Sequence, residues 1–183
     1  MIGEAMRDLG AARVVAETLG GAAVNIAEPL PVYRLALDDI EGPDMLAKAK
    51  PVGWRYLLEE PGQVAYADLT DGSGGNQAFA SLSRNRNAER LNEAAHLAEK
   101  VAANLPDVEA RILDVPALHL SAVWLSGSVS AFIPYIDPET LGGDARVKVD
   151  ESLVPRMTER AFTLRRQLQD TPTSPTQGRA SAG

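Results

Sequence analysis

Three segments of the chain carry apolar residues at every third or fourth position, which is the spacing of an amphipathic helix. The longest runs over residues 85–105 and has a proline directly after it, where a helix must stop. A second covers residues 2–19 and is followed by two glycines, a common helix end. The third begins near Leu153 and continues through Met157, Ala161, Leu164 and Leu168.

Shorter segments alternate apolar and polar residues, as half-buried strands do. Residues 52–58 and 63–69 alternate in this way on both sides of a Pro-Gly dipeptide, which predicts a β-hairpin. Further strands are predicted before and after the long helix, and consecutive hairpins imply antiparallel pairing. The sequence therefore predicts an α+β fold, with an antiparallel sheet of about five to six strands packed on one long helix and with N- and C-terminal helices.

The 183 residues are enough for one domain of ordinary size. Residues 1–28 are predicted to form an N-terminal helical arm and a connector, because two prolines follow the first helix closely. Residues 29–170 form the single α+β domain. Residues 171–183 contain proline, serine, threonine and other small or polar residues, and we expect them to be a disordered tail.

One predicted strand, residues 117–125, is apolar on both of its faces. Such a strand is usually covered twice, and one long helix covers only one face. A terminal helix, a ligand or another subunit must provide the second cover. The residues that would form this interface or pocket are His119, Ser121 and Val123, together with Tyr135 on the next predicted strand.

Charge and composition exclude several function classes. Lys and Arg number 18 against 25 Asp and Glu, for a net charge of −7, which argues against nucleic acid as a partner. The chain has no cysteine and two histidines, so we expect no metal site, no thiol chemistry and no disulfide framework. No apolar stretch approaches the ~20 residues that cross a bilayer, so we expect a cytoplasmic protein without membrane contact.

Catalytic and cofactor motifs are not found. The glycine-rich loop at residues 72–75 is followed by Asn76 and Gln77, where a phosphate-binding loop needs Lys and Ser or Thr. His119 and Ser121 lack the surroundings of a nucleophile and its base, and a structural role for the histidine is the simpler interpretation. We therefore predict no catalytic residues, no bound metal and no cofactor.

A candidate anion site lies at the start of the long helix, where Arg84, Arg86 and Arg90 cluster. Free amide hydrogens and the positive end of the helix dipole favour an anion there, whereas arginines are electrostatically misplaced without one. A solvated surface cluster is the alternative, and most charge clusters are of that kind.

These observations favour a non-catalytic binding or assembly protein that meets a protein partner, or a second copy of itself, through a sheet face or a terminal amphipathic helix. The alternative is a small-molecule-binding protein or small enzyme with a pocket between the sheet and a terminal helix. A deep cavity would favour this alternative.

Overall fold

The computed structural model describes residues 25–42, 44–60, 63–71, 77–141 and 146–170. These residues form eight strands and two α-helices, together with three short 3-10 turns at Leu37–Asp39, Met45–Lys48 and Pro116–Leu118. The strands are β1 (Asn25–Ile26), β2 (Leu30–Arg34), β3 (Lys50–Glu60), β4 (Gln63–Asp71), β5 (Gln77–Ser83), β6 (Glu109–Val115), β7 (Leu120–Ser126) and β8 (Ala131–Ile136). The helices are α1 (Arg86–Ala102) and α2 (Leu153–Asp170).

All eight strands belong to one sheet, in the order β5-β4-β3-β2-β6-β7-β8, with the short β1 paired to β3. Neighbouring strands are antiparallel except β2 and β6, which are parallel. The fold is therefore α+β with a mostly antiparallel sheet. The sequence analysis predicts five to six strands, whereas the sheet has eight. It also predicts antiparallel pairing throughout, whereas β2 and β6 are parallel. The parallel pair arises because α1 carries the chain from the edge strand β5 back to the middle of the sheet.

The sheet curls around α1. This helix contacts β3 and β4 on one side and β7 and β8 on the other. In a flat sheet, the four inter-strand steps from β3 to β8 would span about 19 Å. Nevertheless, the guanidinium of Arg55 on β3 donates a hydrogen bond to the hydroxyl of Tyr135 on β8. The concave face that results encloses one hydrophobic core, formed by α1 with the strands on its two sides.

The opposite face of the sheet carries the second helix. Leu153, Met157 and Ala161 of α2 are fully buried there and form a core with β6, β7, β8 and residues from the first two 3-10 turns. Because α1 covers one face of β7 and α2 with these turns covers the other, Leu120 through Leu125 are all buried. The second cover that the sequence analysis required therefore includes the C-terminal helix of the same chain.

Local sequence signals set most element boundaries. Asn85 caps α1, since its side chain accepts a hydrogen bond from the backbone N–H of Asn87. One predicted strand begins too early: Pro116–Leu118 is a 3-10 turn that His119 closes in a left-handed conformation, so β7 starts at Leu120. The proline favours such a turn over a strand. The predicted arm helix and the predicted tail lie outside the described residues.

Candidate functional site

A groove of about 550 Å³ lies between α1 and the concave face of the sheet. Leu57 of β3 with Val123 and Leu125 of β7 forms a buried apolar floor. The accessible apolar walls are Ala95 and Ala102 of α1, residues 27–29 between β1 and β2, and Leu30 and Pro31 at the start of β2. A concave, mostly apolar space of this size is typical of small-molecule sites, which range from about 300 to 1,000 Å³.

Small side chains on one stripe of α1 explain why the groove is open. Ala95, Ala98 and Ala102 line it at steps of three and four residues, so they share one face of the helix. Nearer the start of α1, the larger Leu91 is fully buried in the core. Because an alanine side chain extends only one carbon from the backbone, this stripe fills less of the space between helix and sheet than larger side chains would.

The rim of the groove is acidic. Glu28, Glu59, Glu99 and Glu109 line it, and no lysine or arginine does so among the described residues. Glu109 is ion-paired with Arg111 on the same strand, so its charge is locally balanced. His96 lies 3.8 Å from Glu99 on the exposed side of α1.

The reactive side chains that line the groove are carboxylates and the imidazole of His96. The described lining residues include no serine, threonine, tyrosine, cysteine or lysine. Asn92 contributes an amide, and its Oδ1 atom is buried without a hydrogen-bond partner among the described residues. An unsatisfied buried acceptor is costly in free energy, and a ligand with an N–H or O–H group could satisfy it.

The four residues of the predicted interface or pocket are not brought together at this groove. Val123 lines the groove. Ser121 and Tyr135 are buried nearby, with Ser121 donating to the Asp114 carboxylate at 3.0 Å. His119 is exposed and lies in a shallow depression beside α2, near Arg156 and Arg160. His119 ends the 3-10 turn and precedes the first residue of β7, so it does not share a strand face with Ser121.

The three arginines of the candidate anion site differ in their surroundings. Arg84 and Arg86 are exposed next to the start of α1. Arg90 is half-buried, and its guanidinium donates to the backbone carbonyl of Leu141 at 2.7 Å. Each of the three also has a further interaction within the chain. The anion site stays a prediction, and at least one of its members serves to hold the loop after β8 onto α1.

A buried polar network, which the sequence analysis did not identify, crosses the concave face beside the groove. The guanidinium of Arg55 forms two hydrogen bonds with the Asp68 carboxylate, at 2.6 and 2.9 Å, and lies 4.4 Å from the centre of the Tyr66 ring. It also donates to the Tyr135 hydroxyl. Burial raises the pKa of Tyr135 above its ordinary value, although the charge of Arg55 acts in the opposite direction. The network ties β3 to β8.

A second buried carboxylate, Asp137, attaches α2 to the end of β8. Its side chain is inaccessible to solvent and accepts hydrogen bonds from Thr140 at 2.8 Å, Arg156 at 2.9 Å and Arg160 at 3.0 Å. Burial alone would raise the pKa of Asp137, but these hydrogen bonds outweigh it and hold the pKa below its ordinary value. The cluster is saturated by its own partners, which indicates a structural role.

Within the described ranges, no group of His, Asp or Glu side chains is placed to hold a metal ion. None of the helices in that part of the chain is long and apolar enough to span a membrane. A scan against protein-family models finds no match, and searches of curated proteins and of solved structures find none either. The function must therefore be argued from the geometry of the site.

Proposed function

We propose that this chain is a non-catalytic binding protein that takes an apolar small molecule into the groove between α1 and the sheet. The observation that carries the proposal is the groove itself, with a volume of about 550 Å³ and an apolar lining from β3, β7 and α1. The absence of serine, threonine, tyrosine, cysteine and lysine from its described lining supports binding over catalysis.

This proposal follows the second of the two hypotheses drawn from the sequence. The first hypothesis, assembly through a sheet face, rested on the two apolar faces of β7, and the elements of the chain itself bury both. Assembly through the N-terminal helix concerns residues that the structure does not describe. The helix beside the groove is the central helix α1, whereas the sequence analysis expected a terminal one.

The expected affinity follows from the size of a ligand that fits such a groove. A ligand of about 25 non-hydrogen atoms gains about 0.3 kcal/mol per atom at a site of drug-like quality. The product is about 7 to 8 kcal/mol, which corresponds to a dissociation constant of a few micromolar.

Titration with Nile red, an uncharged apolar dye, tests the proposal. We expect saturable binding at one site per chain with a micromolar dissociation constant. The Ala95→Leu substitution places three further carbons in the groove and should weaken binding at least tenfold. Ala103→Leu is the matched control, because Ala103 is exposed and does not line the groove. No saturable binding by the wild type, or equal binding by the two variants, would overturn the proposal.

Light scattering combined with Val123→Glu tests the rival hypothesis of assembly. Val123 is fully buried, so an unpaired charge there should cost several kcal/mol and unfold most of the protein. If β7 instead met a second copy, the wild type would be a dimer at micromolar concentration and the variant a folded monomer.

A further inference from the structure

Three glutamates surround the opening of the groove from three different elements. Glu28 belongs to the segment between β1 and β2, Glu59 to β3 and Glu99 to α1. All three are exposed. Glu109 also lines the groove, but its ion pair with Arg111 balances its charge.

The charges at this opening are of one sign. No lysine or arginine is present among the described lining residues to offset the three carboxylates. A cleft whose mouth carries one sign of charge above low-dielectric walls attracts the opposite charge and repels its own. Such a mouth disfavours a fatty acid or any other anionic amphiphile and favours a cationic one.

The wall of the groove also favours a ligand that donates hydrogen bonds. The buried Oδ1 atom of Asn92 is an acceptor without a partner among the described residues. An ammonium group has three N–H donors and no acceptor, whereas a carboxylate has acceptors only. An ammonium can therefore donate to Oδ1 of Asn92, whereas a carboxylate has no donor for this atom.

From these features we infer that the ligand of the groove is a cationic amphiphile, with an apolar body against Leu30, Ala95 and Ala102 and an amine or other positive group among Glu28, Glu59 and Glu99. This inference rests on the proposed function, since it assigns a chemical class to the ligand of the same site.

Isothermal titration calorimetry with three ten-carbon probes tests the inference: decylammonium and decanoate, each below its micelle concentration, and decanol below its solubility limit. At about 20 mM salt, decylammonium should bind about tenfold more tightly than decanol, because the carboxylates at the opening attract its positive charge. Decanoate should bind more weakly than decanol. At about 0.5 M salt, the preference for decylammonium should fall to about twofold, since screening shortens the reach of exposed charges.

A double variant, Glu28→Gln with Glu59→Gln, leaves Glu99 in place, so the preference for decylammonium should fall to about twofold while the affinity for decanol stays at the wild-type value. The matched control is Glu89→Gln with Glu93→Gln, which removes the same charge from exposed positions of α1 outside the groove. Equal affinities for the charged and uncharged probes, or equal effects of the two double variants, would overturn the inference while the proposed function stands. If none of the three probes binds, the proposed function itself is overturned.

Discussion

Replacing Arg55 with methionine should destabilise the protein strongly, because it leaves the partly buried carboxylate of Asp68 without its partner. The guanidinium is about nine-tenths buried and holds both oxygens of Asp68. Methionine fills a similar apolar volume but offers no donor. Ser81, at 3.1 Å, then remains as a side-chain donor to Asp68.

The size of the loss can be worked from the exposure of the two partners. Removing one member of a buried ion pair costs about 3 to 5 kcal/mol. Asp68 keeps about a quarter of its side chain exposed, so water recovers part of its solvation and the lower end applies. We therefore expect a loss of about 3 kcal/mol, which lowers the melting temperature of a chain of this length by about 6 to 12 °C.

A double-mutant cycle measures the interaction directly. Urea unfolding of the wild type, Arg55→Met, Asp68→Leu and the double variant gives four free energies of unfolding. The double variant should be at least about 2 kcal/mol more stable than the sum of the single losses predicts, because it leaves neither charge buried alone. Additive losses, or a single variant within about 1 kcal/mol of the wild type, would refute the assignment of this pair as buried and coupled.

Three further predictions concern backbone strain and pH. In urea titrations, Gly53→Ala should lower the free energy of unfolding by more than about 3 kcal/mol, since φ is +151° and the new Cβ would lie 2.1 Å from the carbonyl oxygen of Leu69. Gly42→Ala should lower it by about 1 kcal/mol, because φ is +72° but the new Cβ would meet open space. Because the pKa of Tyr135 is raised on folding, stability should be intact below the unfolded pKa of about 10 and fall above it, and Tyr135→Phe should remove this fall between pH 8 and pH 11. Because the pKa of Asp137 is lowered, its carboxylate should stabilise the fold above about pH 4 and lose that effect at lower pH, so Asp137→Asn should reduce stability at pH 7 far more than at pH 3.

The elements that the sequence predicts well are those with strong local signals. The helix predicted over residues 85–105 is α1, shortened to Arg86–Ala102, because a long apolar stripe and an N-cap define it without reference to distant residues. The β3–β4 hairpin is confirmed for a similar reason. By contrast, the parallel pairing of β2 with β6 joins residues about 80 positions apart, and no local pattern encodes such a pairing.

The Arg55–Asp68 pair could have been found from the sequence. The two alternating segments flank the Pro-Gly dipeptide, and the register that pairs Glu60 with Gln63 also places Arg55 opposite Asp68. Opposite charges at such a cross-strand position are a favourable pair. The sequence does not show that α1 buries this face of the hairpin. An exposed ion pair and a buried ion pair at these positions would therefore have the same sequence pattern. The groove is harder still to predict, since its lining comes from four strands, a helix and a connecting segment.

The polar network and the groove share strands, which makes ligand affinity a readout of the network. Arg55 and Leu57 point to the same face of β3 two residues apart, as do Ser121 and Val123 on β7. The contact between Arg55 and Tyr135 holds the two sides of the curled sheet together, and the groove lies between those sides. Loosening the contact should therefore shift the floor of the groove.

We expect Arg55→Met to bind Nile red several-fold more weakly than the wild type at a temperature where calorimetry shows both to be folded. Asp137→Asn is the matched control, because it weakens the attachment of α2 on the opposite side of the sheet and touches no residue of the groove. If both variants lose affinity equally, the effect follows general instability. If neither loses affinity, the curl of the sheet does not depend on Arg55, and the groove is held open by the packing of α1 alone.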